Sequence, residues 1–276
     1  MTLRPRRSWL FLPGADAAAH EAAAHSGADV LIQELEDFTP PERRPQARAL
    51  AGALYDRWRK AGKIAAVRVN PLEYCGREDL AAVMKGRPDI VLMPKVVSPD
   101  QVRALEQATG GKVDLVPNIE TAARLLNAFA IAKASKRVIA MLVASEDMVA
   151  DLGTNRSRSG EELAYVRQRF LVDCRAAEVE AIDCPYTFSD VKGAAVDARY
   201  AKRLGYRMKS LVATGHAAAI NRVFSASASE LRKAERLVHA FETARKAGKG
   251  RATVNGKLVE VPIYAAARRL LERAKR

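Results

Sequence analysis

Eight short apolar runs punctuate this chain, each followed by a longer amphipathic stretch, and that alternation leaves few folds open. The runs are 8–13 (SWLFLP), 29–35 (DVLIQEL), 64–69 (IAAVRV), 89–94 (DIVLMP), 113–118 (VDLVPN), 138–144 (VIAMLVA), 181–186 (AIDCPY) and 207–213 (RMKSLVA). Continuously apolar strands are buried on both faces, which implies a parallel sheet covered by helices. Helical patterns occupy the intervals, among them 41–60, 99–108, 121–134, 160–177 and 190–204. Eight strand–helix repeats in 276 residues predict a closed (β/α)₈ TIM barrel, a fold of about 250 residues.

Chain remains after the eighth strand. Residues 229–247 read as a helix with an acidic first turn, Asn255-Gly256 is a hairpin signal, and 263–275 reads as a final helix. The expectation is a barrel over residues 1–224 with a C-terminal helical and hairpin extension, 225–276, in the same structural unit.

Polar residues stand at the C-terminal ends of strands two to six. These are Glu34-Leu35-Glu36-Asp37, Arg68-Val69-Asn70, Pro94-Lys95, Asn118-Ile119-Glu120 and Ser145-Glu146-Asp147. A barrel brings such ends to one rim, where its active sites form. Carboxylates gathered there call for a cation, and oxygen donors without His select a hard ion such as Mg²⁺. Glu120 and Asp147 are the ligand candidates, with Glu36 or Asp37 holding coordinated water. Arg68 suits a bidentate grip on a substrate carboxylate, and Lys95 adds a second cation for substrate. Taken singly, each acid fits equally well as a helix cap.

Lys and Arg number 46 against 32 acidic residues, a formal charge of +14. The segment from Arg245 onward has ten basic and two acidic residues and so carries +8 of that charge. Nucleic acid, a membrane surface or a polyanion such as coenzyme A all match this balance. No helix-turn-helix, finger or RNA-binding signature accompanies it, so no specific nucleic-acid partner is expected. Cys75, Cys174 and Cys184 have no metal-type spacing, which points to a reducing compartment. The apolar run near the N-terminus is too short for a signal peptide or a membrane span. The expected location is the cytoplasm.

In order and spacing, the motifs RSWLFLPG (from Arg7), GADVLIQELED (Gly27), VRVNP (Val67), VLMPK (Val91), PNIETA (Pro117), ASEDMVADLG (Ala144), GEELAYVR (Gly160) and AIDCPYT (Ala181) resemble the aldolase/citrate lyase β-subunit family. The resemblance covers nearly the whole chain. It implies a TIM barrel in trimers or larger homo-oligomers, with Mg²⁺ on Glu120 and Asp147. It also implies a keto-acid carboxylate on Arg68, and Glu36 and Asp37 near the metal waters. The implied reaction is Mg²⁺-dependent retro-aldol or Claisen cleavage of a 3-hydroxyacyl-CoA thioester to an acyl-CoA and a 2-keto acid.

Three positions depart from the family pattern. Its Ile-His-Pro turn is replaced by Val212-Ala-Thr-Gly-His216, where a lone His is expected at the surface or as a cap. The lid Asp that serves acid/base chemistry is Glu260 here. The acid after Pro-Lys-Val is Val97. Two other readings stay open: an aldolase acting on a free hydroxy-dicarboxylate, and a non-catalytic subunit binding coenzyme A or an acyl carrier.

Overall fold

The computed structural model describes residues 6–249 and 251–274. Eight parallel strands close into a barrel in sequence order: β1 (Ser8–Pro13), β2 (Val30–Glu34), β3 (Ile64–Arg68), β4 (Ile90–Met93), β5 (Asp114–Ile119), β6 (Ala140–Val143), β7 (Glu180–Asp183) and β8 (Met208–Leu211). Pairing of Ser8 with Lys209 and of Trp9 with Ser210 closes the ring. The eight-stranded barrel expected from the apolar runs is therefore present, with strands shorter than the runs by a residue or more at several ends.

Helices cover the barrel: α1 (Ala17–Ala24), α2 (Arg44–Lys60), α3 (Arg77–Val83), α4 (Pro99–Ala108), α5 (Ala122–Leu126), α6 (Ala128–Ala132), α7 (Glu146–Asp151), α8 (Ala164–Ala176), α9 (Val191–Leu204) and α10 (Ala217–Phe224). The single helix expected over 121–134 is two short ones, interrupted at Asn127. The Asn127 side chain donates instead to the Val97 carbonyl at 3.1 Å, the kind of local bond that competes with helix geometry.

Strand alternation sorts the side chains into two cores. Trp9, Phe11, Val30, Ile32, Ala66, Leu92, Val116, Leu142 and Ile182 pack together inside the barrel. Their neighbours Leu10, Leu12, Leu31, Ala65, Val67, Val91 and Leu115 join the core beneath the helices. The same parity turns Glu34, Arg68 and Asn118 inward, each two residues beyond an interior apolar one, and Glu120 follows two residues after Asn118.

A charged quartet lies between the helices and β7–β8. Arg167 donates to Asp183 at 2.9 and 2.7 Å and to Asp197 at 2.8 Å. Lys209 reaches Asp183 at 2.6 Å and Asp197 at 2.5 Å. All four are buried. Two cations against two carboxylates balance a cluster that would otherwise be costly to desolvate.

The described residues form two compact units, Arg6–Phe224 and a second beginning at Ser225. The second contains α11 (Ala228–Lys246), the hairpin β9 (Ala252–Val254) and β10 (Lys257–Val259), and α12 (Val261–Ala274). Ser227 and Glu230 form a capping box at the start of α11. Asn255 and Gly256 have φ of 49° and 75°, the left-handed pair that a tight hairpin turn requires. Phe241, Ala252 and Val259 make this unit's core. Residue 275 of the expected final helix lies outside the described residues. No described helix is long and apolar enough to cross a membrane, and all three cysteines are free.

Candidate active site

The turn after β2 is organised by Glu34. This fully buried carboxylate accepts the backbone N–H of Glu36 at 2.6 Å and of Phe38 at 2.5 Å. Thr39 donates its hydroxyl to the Glu34 carbonyl and accepts the Gly14 N–H at 2.7 Å. A Cβ on Gly14 would lie 2.6 Å from the Glu34 carbonyl oxygen and 2.9 Å from Thr39 Oγ1. Only glycine allows the two loops to approach this closely.

Arg68, on the neighbouring strand, donates Nε–H to Glu34 Oε1 at 2.9 Å. Its Nη2 lies 3.4 Å from Glu36 and 3.6 Å from Asp37. The guanidinium sits 5.1 Å from the Phe11 ring centroid and 5.8 Å from that of Phe38. Burial works against its charge, but Glu34, Glu36, Glu120 and Asp37 outweigh burial and hold the guanidinium firmly protonated. Lys95 Nζ completes the cluster at 2.5 Å from Glu36 and 3.7 Å from Asp37. Burial raises the Glu36 pKa, against the pull of Arg68 and Lys95. Lys95 has φ of +56°, a conformation that costs a non-glycine residue free energy.

Glu120 emerges at the end of β5 with its side chain buried. Its Oε2 has no hydrogen-bond partner, and Arg124 approaches it only to 3.8 Å. Burial raises its pKa to about 7, with Glu36 and Asp147 pushing upward and Arg68 and the Lys95 backbone N–H pulling down. Asp147 is exposed in the first turn of α7. Among the described residues no three His, Cys, Asp or Glu side chains cluster as a ready-made metal cage. Two carboxylates with an unpartnered oxygen fit a hard cation that keeps most of its shell as water and substrate oxygen.

The barrel thus brings Glu36, Asp37, Arg68, Lys95, Glu120 and Asp147 into one electrostatic neighbourhood. Glu260 belongs to the second unit, exposed between β10 and α12. Two rim residues are committed to structure. Asn70 bonds Asp79 Oδ2 through its backbone and side chain, each at 2.8 Å, and the Leu35 carbonyl at 2.8 Å. His216, expected at the surface or as a cap, is fully buried and donates Nε2–H to the Ser189 carbonyl at 3.1 Å. Sequence reasoning passed over Glu34 as a site residue. Its signal was parity, since Val30, Ile32 and Glu34 share the inward face.

Beside this cluster is a cavity of about 520 Å³, lined by Pro13, Ala15, Asp16, Phe38, Arg43 and Gln46 among others. Phe38 belongs to both the cavity wall and the Arg68 cluster.

Comparison with known proteins identifies the family. Residues 7–214 match the family described as HpcH/HpaI aldolase/citrate lyase. The chain is 34% identical to the citrate lyase subunit beta of Escherichia coli K12, over 99% of this chain and 94% of that protein. It is 32% identical to a (3S)-malyl-CoA thioesterase of Cereibacter sphaeroides, over 98% and 95%. A solved citrate lyase beta subunit from Mycobacterium tuberculosis, complexed with oxaloacetate and magnesium, superposes with a TM-score of 0.65 at 26% identity, over 81% of this chain and 98% of that one. A citrate lyase subunit and a malyl-CoA thioesterase thus both stand among the relatives. On the family match and these identities, the chain belongs to the HpcH/HpaI aldolase/citrate lyase family.

Proposed function

We propose that this protein is a Mg²⁺-dependent carbon–carbon lyase that cleaves a 3-hydroxyacyl-CoA thioester into an acyl-CoA and a 2-keto acid. The observation that carries the reading is the buried Glu120 Oε2, which has no hydrogen-bond partner and which a bound cation or its ligands would satisfy. Glu120 and Asp147 would hold Mg²⁺, which when bound supplies Lewis-acid stabilisation to oxygen carrying developing charge.

The protein's own groups do the rest. Arg68, locked by Glu34, grips the keto-acid carboxylate, and Lys95 adds positive charge beside it. Glu36 has a pKa raised by burial and stands within 2.5 Å of Lys95, so it suits proton exchange with the substrate hydroxyl. Asp37 orders water at the rim. Glu260 stands where the family carries its lid Asp, and the resemblance gives it an acid/base role at a neighbouring subunit's site. The cavity beside Phe38, of a size usual for small-molecule sites, accepts the start of the thioester arm. The relatives that pair with coenzyme A thioesters and keto acids support this substrate class.

The test is incubation with citryl-, malyl-, citramalyl- and β-methylmalyl-CoA, with and without Mg²⁺, measuring released keto acid and released free coenzyme A separately. Metal-dependent keto acid establishes the lyase. Free coenzyme A without keto acid would replace it with a thioesterase.

A further inference from the structure

One inward side chain close to the site is left unsatisfied by the protein itself. Asn118 is fully buried, and neither its Oδ1 nor its Nδ2 has a hydrogen-bond partner. It lies two residues before Glu120 on β5, so alternation turns both toward the interior. Val116, two residues earlier, packs in the barrel core with Leu92 and Leu142. Asn118 pairs in register with Leu142, and only β4 separates its strand from that of Arg68.

A leucine, with the same branching, would suit this apolar setting at no polar cost. A carboxamide stripped of water and given no partner is unfavourable, so a group from outside the chain is needed to satisfy it. A coenzyme A thioester is too long to lie within the barrel and must extend over the rim. The fragment that reaches down towards Asn118 is therefore the small keto acid, whose carboxylate Arg68 holds.

We propose that Asn118 sets keto-acid specificity: its carboxamide hydrogen-bonds an oxygen beyond the keto group, selecting a keto dicarboxylate over keto acids ending in hydrogen or alkyl. This assignment rests on the proposed keto-acid site but not on turnover. A site built to hydrogen-bond a substrate oxygen discriminates strongly against analogues that lack it, because its own buried groups are then left unpaired.

Calorimetric titration of the Mg²⁺-loaded protein with fresh oxaloacetate, 2-oxobutyrate and pyruvate tests the proposal. 2-Oxobutyrate shares the keto-acid head and replaces the distal carboxylate with a methyl. The wild type should bind oxaloacetate at least about tenfold more tightly than 2-oxobutyrate, and Asn118→Leu should reduce that ratio by roughly tenfold to a hundredfold. Asn118→Ser, which keeps a donor and acceptor, should restore part of it and serves if the leucine variant fails to fold. An unchanged ratio in a folded variant overturns the proposal, and so does a wild type that binds none of the three acids. Selective binding without thioester cleavage would sustain the role of Asn118 and refute the lyase reading alone.

Discussion

Glu34 Oε1 accepts the Arg68 Nε–H at 2.9 Å, and both side chains are buried in the barrel interior. The pair links two functions of one carboxylate, since Glu34 also holds the backbone of the turn that presents Glu36 and Asp37. Removing it should disturb substrate binding and stability together. Glu34→Ala leaves a buried guanidinium short of its nearest partner, which costs about 3–5 kcal/mol. Denaturant unfolding should show that loss, and Glu34→Gln, which keeps an acceptor, should lose less.

Arg68→Lys should raise the Michaelis constant for keto acid at least about tenfold, because a lysine offers no fork for both Glu34 and a carboxylate. Steady-state kinetics in the condensation direction measures this directly. An unchanged constant would remove Arg68 from the substrate site.

Glu120 predicts a pH dependence with a definite sign. Its pKa in the folded protein is about 7, above the ordinary carboxylate value, so the metal-free fold binds more protons than the unfolded chain in between. Stability should therefore fall as pH rises from about 4.5 to about 7, by at most about 3 kcal/mol, and level off above. Glu120→Gln should flatten that slope in thermal melts followed across pH. Mg²⁺ affinity in the wild type should rise over the same interval, as the carboxyl gives up its proton. Flat stability in the wild type would refute the burial of an ionisable Glu120.

Lys209→Met tests the quartet away from the site. With Lys209 gone, Asp183 and Asp197 face Arg167 alone, leaving one buried carboxylate uncompensated. The expected loss is about 3–5 kcal/mol, read by denaturant unfolding, with activity per folded molecule retained at low temperature. A variant as stable as the wild type would show that the quartet contributes little.

Much of this is legible in the sequence. The alternation of apolar runs named the barrel, because strands buried on both faces must be continuously apolar. The Asn255-Gly256 turn was also evident, since few residue pairs adopt left-handed φ in succession. Glu36, Asp37, Arg68, Lys95, Glu120 and Asp147 were legible as a group because each ends a strand or follows one within a few residues, and a barrel gathers strand ends. The break at Asn127 was hidden, since the apolar periodicity runs straight through it and only the Val97 carbonyl diverts the side chain.

The chain's pattern by itself determined the closed parallel sheet and the rim that collects its acids, because hydrophobic periodicity dictates which faces are buried. Tertiary structure alone decided what each polar residue does there. Asn70 is consumed by bonds to Asp79 and Leu35, His216 bonds the Ser189 carbonyl through one nitrogen, Glu34 is the hidden anchor of Arg68, and Glu120 and Asn118 keep unpartnered atoms. Those outcomes depend on which groups meet across strands distant in sequence, and on how completely water is excluded where they meet.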